Sequence, residues 1–464
     1  MEKFSKFVLN NLEKYKLIYK IVTKKSASIS QVIKYSQPTR ILLQALVFLL
    51  IVFIPSNLFL NLSPEMAYVS GLKVDYLIPK VWASEIIILN LLWIWLLHVN
   101  IKKINKEKIK KFTVDNKFTI ILSSIFLVRQ LFTPRPISSI FFLIQLLLNL
   151  FFIFFLKNHR WLFKKQIINW AVFCSATTQF CLAIFQFINQ RALLAYQLFG
   201  EPQFEPYFRM SRHLFNGKEK ILSYGSTAHP NVLAGSTVIF CLILLIKITK
   251  KHTNFDKILW IISFIFTLIL LYTTQSFSAL LTLVIGGAII VANNNSATPF
   301  NKKVFDKFLM LFLLISLICS PITIFQLSKL YPQEPSIIRR HTLNITALNI
   351  FKKEWLVGSG LNQFTLYLDS FSHQAEVVRF VQPVHHVGLL LLAETGVVGL
   401  LLFAQIKKLL NKSSKKTLFL ILSILAPLLV LDHYLFTLQT GQLLFSLLFI
   451  SLLDQQEKAK ALEK

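Results

Sequence analysis

Two adjacent histidines stand at the entrance of an apolar segment, and their imidazoles are the groups best placed for chemistry. His385 and His386 directly precede an apolar run that begins at Val387. An ionisable group at the edge of a membrane-spanning segment is costly, which makes it a candidate for function. A neutral imidazole can take a proton from a hydroxyl group near neutral pH. The alternative, a pair of merely interfacial polar residues, is not excluded by spacing alone.

The segment that follows is rich in glycine for a chain with 13 glycines in 464 residues. In a helix with 100° between residues, Gly388, Gly396 and Gly399 fall on the same side as His385. Small residues along one side allow a neighbouring helix to come close. The pattern therefore predicts close helix packing below His385.

Further polar residues stand at the ends of other apolar segments. Arg339 and Arg340 lie near the start of an amphipathic helix predicted at 337–355. The others are His229, Asn231, Gln275, Ser276, Asp432, His433 and Gln439. If the segments between them cross a membrane, all of these residues lie on the same side, which favours one convergent site over scattered interfacial residues.

The elements that must position these residues are membrane helices. Hydrophobic residues make up 54% of the chain and charged residues 15%. The apolar stretches are continuous, as spanning helices require and barrels do not. We predict twelve spans, at 41–58, 81–98, 118–131, 137–156, 167–187, 232–246, 258–272, 277–292, 308–325, 387–403, 418–431 and 435–453. The predicted fold is all-α and polytopic, with a single transmembrane domain over 41–453.

The net charge of +29 is distributed as in a membrane protein and does not indicate nucleic-acid binding. Lysines cluster in alternate loops, at 102–117, 157–165, 247–257, 302–307 and 407–416. This positive-inside pattern predicts a multi-pass protein of the cytoplasmic membrane with both termini in the cytoplasm. The tail at 454–464 is then cytoplasmic, and residues 1–40 form a basic amphipathic segment on the cytoplasmic leaflet. Two long loops, 189–231 and 326–386, face outward and are expected to be ordered.

The candidate site has arginines and histidines but few acids. The carboxylates Glu334, Glu354, Asp369 and Glu376 lack paired spacing, which disfavours a two-carboxylate hydrolase. The sequence has no metal-binding HExxH pattern and no Walker loop, and we expect neither a metal nor a cofactor. Arginine clamps phosphate groups and stabilises leaving-group charge, so the ligand expected at the outer membrane surface is a lipid-linked phosphate donor.

Four ordered motifs at residues 220–450 carry a family resemblance. They are His229-Pro230-Asn231 opening a span, Arg339-Arg340 with Gly358 to Phe364, His385-His386 through Gly399, and Asp432-His433 with Gln439 to Gln442. With the twelve spans, they resemble the O-antigen ligase and O-antigen polymerase family of bacterial envelope enzymes.

The resemblance implies a metal-independent glycosyltransferase in the outer leaflet. Such an enzyme takes a glycan from an undecaprenyl-pyrophosphate carrier and hands it to a hydroxyl of a glycan, lipid or protein acceptor. By the resemblance, His385 activates the acceptor, Arg340 or Arg339 holds the pyrophosphate, and Gly358 and Gly360 shape the loop over the donor.

The sequence departs from the family pattern at two positions. The family usually has asparagine after the motif histidine, whereas this chain has His386, so either imidazole could be the base and His386 could contact the donor. The family often has an arginine after the serine of an outer turn, whereas Phe277 follows Ser276 here. The candidates to replace that charge are Arg191, Arg209 and Arg212.

The alternative function is a transporter or flippase of lipid-linked glycans. It would need polar residues near the middle of several spans. Only Gln145, Asn149, Gln186 and the single charge Glu394 stand there. The sequence therefore favours the enzyme, and it does not separate ligation from polymerisation.

Overall fold

A computed structural model describes residues 35–69, 71–98, 115–163, 165–193, 200–204, 210–248, 254–294, 302–371 and 381–462. The predicted basic segment at 1–40 lies outside the described residues except for residues 35–40. Most of the lysine-rich loop at 102–117 also lies outside them.

The described part of the chain is built from helices. They are α1 (Gln37–Phe53), α2 (Ala83–His98), α3 (Lys117–Leu131), α4 (Pro136–Asn158), α5 (Lys165–Asn189), α6 (Pro230–Ile248), α7 (Asn254–Thr274), α8 (Phe277–Asn294), α9 (Lys302–Leu330), α10 (Pro335–Lys353), α11 (Leu368–Phe371), α12 (Val387–Leu409), α13 (Lys412–Ile424), α14 (Ala426–Leu431), α15 (Tyr434–Thr437) and α16 (Gln439–Leu462).

Each predicted span overlaps a helix, and the predicted all-α polytopic membrane fold is confirmed. The span predicted at 418–431 is divided between α13 and α14, because Pro427 stands just after the break and cannot continue a helical hydrogen-bond ladder. Six described helices, α4, α5, α6, α7, α9 and α12, are long and apolar enough to cross a membrane. Helices α1, α2 and α8 are apolar but shorter.

Short antiparallel strands occur in two loops where the sequence predicts none. Between α1 and α2, β1 (Phe59–Asn61) pairs with β4 (Lys80–Trp82), and β2 (Tyr68–Val69) pairs with β3 (Leu72–Lys73). Before α6, β5 (Arg212–Phe215) pairs with β6 (Lys218–Ile221). The last hairpin turns through Asn216 and Gly217, both with positive φ, as a two-residue hairpin turn requires.

Helix α6 forms the centre of the bundle. Of its most apolar stretch, 78% is buried, and it packs against α5, α7, α8 and α16. Its residues are apolar on every side, as expected of a helix enclosed by others. At 1.5 Å per residue, its length is about 28 Å, so its two ends are separated by roughly the thickness of a bilayer core.

The two ends of α6 have different neighbours. At its carboxyl end, Lys247 pairs with Asp454 of α16, with 3.7 Å between nitrogen and oxygen. A second ion pair joins Lys416, near the amino end of α13, to Asp306, near the amino end of α9, with 3.1 Å between nitrogen and oxygen. The amino end of α6 begins after His229 and meets the turn between α14 and α15. Lys247 and Lys416, from two of the lysine clusters, thus lie away from the predicted polar site.

Candidate functional site

Three separate loops bring histidines together at the amino end of α6. His385 lies directly before α12, His433 between α14 and α15, and His229 directly before α6. The His385 and His433 ring centroids are 5.2 Å apart in an edge-to-face arrangement. Asn231 Nδ2 donates a hydrogen bond of 3.1 Å to Asp432 Oδ2, which ties the start of α6 to the His433 turn. We call these five residues, with Arg339 and Arg340, the histidine–arginine cluster.

Helix α10 contributes the arginines. Its residues Asn344 and Ala347, which share a helical side with Arg340, are buried, so this side faces the protein. Arg340 interacts electrostatically with Asp432, His229 and His385, and Arg339 also interacts with His385. Within the described residues, the buried Nε of Arg340 has no hydrogen-bond partner.

The hydrogen bonds define how two of the rings are oriented. His229 Nδ1 accepts from the backbone N–H of Asn231 at 3.2 Å, so the neutral ring carries its proton on Nε2, which lies 3.1 Å from Ser211 Oγ. His433 Nδ1 lies 2.7 Å from Thr437 Oγ1. The buried Nδ1 of His385, by contrast, has no partner in the described part of the chain.

The environment of the cluster keeps its imidazoles neutral. Burial lowers the pKa of His385 well below its ordinary value, and His433, Arg340, His229 and Arg339 lower it further. Burial also lowers the pKa of His433 and of His229, partly offset by the negative charge of Asp432. Enough protein atoms lie around His229 to lower its pKa, yet the residue is exposed at the surface. The cluster therefore borders open space. A neutral base beside fixed cations can accept a proton while the cations attract an anion.

His386 serves a different purpose from its neighbour. Its Nδ1 accepts from the backbone N–H of Leu389 at 3.1 Å and so caps α12. Its Nε2 then carries the proton of the neutral ring and donates to the carbonyl of Leu317 in α9 at 3.1 Å. Both ring nitrogens are occupied, and His386 is buried away from the cluster. Of the two adjacent histidines, only His385 faces His433.

The glycines that the resemblance places over the donor lie close to the backbone of α12, where Gly360 N–H donates to the Glu394 carbonyl at 2.9 Å. Gly358 and Gly360 have φ of 71° and 99°. A Cβ on Gly358 would collide with the backbone of Glu394, and one on Gly360 with the side chain of Thr133. That these glycines shape the loop over the donor stays a prediction.

Helix α12 is interrupted where this loop meets it. Gly396 has φ of 57° and ψ of −160°, which is not helical. The N–H groups of Val397 and Val398 bond the carbonyls of Trp355 and Leu356, both at 2.9 Å. The predicted stripe of glycines is thus broken at Gly396, whose close neighbour is the backbone of this loop, whereas Gly388 lies beside Leu317 of helix α9.

Glu394, the charge predicted near the middle of a span, is fully bonded within this region. Its Oε1 accepts from the Tyr76 hydroxyl at 2.8 Å and from the N–H groups of Gln363 and Phe364 at 2.9 and 3.0 Å. Its Oε2 accepts from the N–H of Asn362 at 3.0 Å. We call Glu394, Gly396 and the loop at 354–364 the glutamate–glycine unit.

Other predicted site residues lie outside the cluster. Gln275 is exposed in the turn between α7 and α8, where its Nε2 donates to the Tyr272 carbonyl at 2.7 Å. Ser276 is buried in the same turn. Gln439 Oε1 accepts from Asn149 Nδ2 at 3.0 Å, where α16 packs against α4.

Two of the three arginines that could supply the charge missing at Phe277 lie in the described part of the chain. Arg212 pairs with Glu219 across the β5–β6 hairpin at 3.0 Å. Arg191 lies over the ring of Phe185, 5.9 Å from its centroid. Arg209 lies outside the described residues.

Sequence reasoning missed two residues that contact the histidines. Thr437 follows His433 by four residues, a spacing that brings side chains together on a helix and could have been noticed. Ser211 is brought to His229 by the β5–β6 hairpin, and no local pattern signals that contact.

A comparison with known protein families matches the part of the chain that contains α10 and most of α12. Residues 262–404 match the family described as O-antigen ligase. The matched range contains Arg339, Arg340, His385 and the glutamate–glycine unit, whereas His229, Asp432 and His433 lie outside it. A search of curated proteins finds no matching relative.

Proposed function

We propose that this chain, which its O-antigen ligase region places in the O-antigen ligase and polymerase family, transfers a glycan from an undecaprenyl-pyrophosphate carrier to an acceptor hydroxyl. The family match supports the general role, glycan transfer in the synthesis of cell-surface polysaccharide. The carrier, the acceptor and the independence from metal ions are parts of the proposal.

The observation that carries the proposal is the position of His385 beside Arg340. The neutral His385 imidazole takes the proton of the acceptor hydroxyl as its oxygen attacks the anomeric carbon of the donor sugar. The bond from that carbon to the pyrophosphate oxygen breaks, and that oxygen takes the electron pair. The leaving group is undecaprenyl pyrophosphate. Arg340 stabilises the charge that develops on the leaving group, a contribution that matters most in the transition state.

The remaining cluster residues fit an anionic leaving group. His229 and His433 are neutral rings whose N–H groups can donate to phosphate oxygens. Asp432 accepts hydrogen bonds from Asn231 Nδ2 and from the backbone N–H of His433, which holds the turn in place. We assign Asp432 to this positioning task and not to proton transfer.

The proposal also requires the cluster to face the outer leaflet, with both termini in the cytoplasm. Asp369 lies in α11, in the loop that should face outward, and Asn105 lies in a lysine-rich loop that should face inward. A cysteine at Asp369 should react with an impermeant thiol reagent in whole cells, and one at Asn105 should not. The opposite labelling would place the cluster in the cytoplasm and end the proposal.

The deciding experiment is transfer by the purified protein in proteoliposomes. An undecaprenyl-pyrophosphate glycan is supplied with glycan, lipid or peptide acceptors, and released undecaprenyl pyrophosphate is measured together with the product. We expect release only with a suitable acceptor and its loss in His385→Ala. Movement of the donor between leaflets without release of pyrophosphate would instead identify a flippase.

A further inference from the structure

Helix α9 contains a carbonyl group that its own helix cannot satisfy. Pro321 lies inside α9 and has no N–H, so the carbonyl of Leu317, four residues earlier, loses its helical partner. In hydrocarbon an unsatisfied carbonyl is costly, because no water is present to replace the missing donor. His386 of the α12 cap supplies that donor through Nε2, at 3.1 Å.

The surroundings hold the His386 ring in the orientation that this bond needs. The opposite ring nitrogen accepts from Leu389 N–H, which leaves the proton on Nε2. Gly388 leaves room for the ring: a Cβ there would lie 3.0 Å from His386 Cε1 and 3.5 Å from Leu317 Cδ2. The absent side chain at Gly388 therefore lets α9 and the start of α12 approach each other.

The helix held by this bond also carries the arginines. Only 11% of the apolar stretch of α9 is buried, although α9 packs against α13 and α14 and is paired with α13 through Asp306 and Lys416. A short turn at 331–334 joins it to α10, which begins at Pro335 and carries Arg339 and Arg340. Helices α9 and α10, which we call the arginine arm, pack against each other, and α10 also packs against α12.

We propose that His386 is a positioning residue for the transfer reaction: its bond to the Leu317 carbonyl, left free by Pro321, fixes the arginine arm relative to His385. His385 and His386 are adjacent in sequence, so the bond from His386 to α9 also constrains the position of His385 relative to the arm. This inference rests on the proposed function, because the distance it fixes is the one between Arg340 and His385. A misplacement of about 1 Å at a reacting centre can cost roughly 10²-fold in rate.

The test separates the bond from the cap and from the free carbonyl. In His386→Asn, the side chain can still cap α12 but is too short to reach Leu317. In Pro321→Ala, the new N–H can satisfy the Leu317 carbonyl within α9. Glycan transfer and the thermal unfolding midpoint are measured for wild type, both single variants and the double variant, in proteoliposomes. His98→Asn is the matched control, because His98 also bonds a carbonyl, that of Ile94 in its own helix, at the distant end of α2.

We expect His386→Asn to lower kcat about 10-fold, with KM for the donor within about 2-fold, and to lower the unfolding midpoint. Adding Pro321→Ala should restore the midpoint but not kcat, because it satisfies the carbonyl without restoring the tie. His386→Gln, which keeps a donor of longer reach, should retain more kcat than His386→Asn and serves if the asparagine variant fails to insert. His98→Asn should change neither quantity.

A second readout does not depend on the reaction. Spin labels at Gln326 of α9 and Ala404 of α12, in a background without native cysteines, report the distance between the arm and α12. His386→Asn should broaden this distance distribution, with or without Pro321→Ala. An unchanged kcat in His386→Asn, an unchanged distribution, or recovery of kcat together with the midpoint would overturn the proposal. If wild type transfers no glycan, the proposed function fails and the distances still decide whether the tie exists.

Discussion

The histidine–arginine cluster lies at the amino end of α12 and the glutamate–glycine unit lies further along it, and the two differ in how their buried polar atoms are bonded. In the cluster, the buried His385 Nδ1 and Arg340 Nε have no partner in the described part of the chain. In the unit, both carboxylate oxygens of Glu394 are bonded. A buried polar atom without a partner costs free energy, so a fold retains one mainly where a ligand completes it. This difference favours the proposed chemistry at the cluster and a supporting role for the unit.

The same comparison bears on the transporter alternative. Glu394 is the charge that sequence reasoning places near the middle of a span, where a transporter would use it. In the structure it binds Tyr76 and the backbone of the loop at 362–364. Since its oxygens are already engaged, Glu394 is not available to a passing substrate.

The largest effect should come from the base. His385→Ala removes the imidazole from the cluster and should lower the transfer rate roughly 10²–10⁴-fold, the usual contribution of a general base. Membrane insertion and the unfolding midpoint should remain close to wild type, because His385 Nδ1 makes no bond that would be lost. Turnover of an undecaprenyl-pyrophosphate glycan measures the effect. An active His385→Ala beside an inactive His386→Ala would exchange the two roles.

A smaller loss should follow from changing the arginine fork. Arg340→Lys keeps the charge but loses bidentate bonding to phosphate, so we expect roughly a 10²-fold lower kcat. Arg339→Lys is the matched control on the same helix and should stay close to normal, because the helical side that faces the protein, with buried Asn344 and Ala347, is the side of Arg340. Full activity in both Arg340→Lys and Arg340→Ala would remove Arg340 from the mechanism.

Much of this arrangement could be predicted from the sequence, because hydropathy and charge act along the chain. Each predicted span overlaps a helix, because an apolar run of that length has few other ways to pair its backbone N–H and C=O groups in lipid. The convergence of His229, His385 and Asp432 followed from counting spans, which places alternate loops on one side. Neither step needed a specific side-chain contact.

The roles of the glycines and of His386 could not be predicted, because they depend on backbone atoms far apart in sequence. The break at Gly396 exists because a loop some 40 residues earlier bonds to it. The role of His386 depends on Pro321 in another helix. Such pairs leave no periodic pattern in one sequence, so a family motif read along the chain does not separate residues that support the site from residues that react.

Changes in the glutamate–glycine unit should affect stability more than chemistry. Gly396→Ala places a Cβ at a positive φ and 2.6 Å from Gly358 N, which should lower the free energy of unfolding by about 1–3 kcal/mol. Gly287→Ala in α8 is the control: no atom lies within 4 Å of its Cβ, so it should be neutral or slightly stabilising. Unfolding midpoints and kcat per folded molecule are compared. A selective loss of kcat in Gly396→Ala, at unchanged stability, would move the unit into the reaction.

The smallest effect is expected from a change of pH above neutrality, where the histidines of the cluster are already neutral. Because the pKa values of His385, His229 and His433 are lowered in the folded protein, these rings stay neutral at pH values where unfolded histidines, with a pKa of about 6.5, already bind protons. Their contribution to stability is therefore complete above about pH 6.5 and is lost as the pH falls below it.

By the same reasoning, kcat/KM for the donor should change by less than about 2-fold between pH 8 and pH 7 and fall only below about pH 6.5. The acid limb of kcat should lie at higher pH than that of kcat/KM, because bound pyrophosphate brings negative charge beside His385 and raises its pKa. The two profiles, measured on wild type and on His386→Asn, decide the matter: an acid limb of kcat/KM above pH 7 would show that the ring of the free enzyme is not held neutral, and the electrostatic contrast between the cluster and the unit would have to be abandoned.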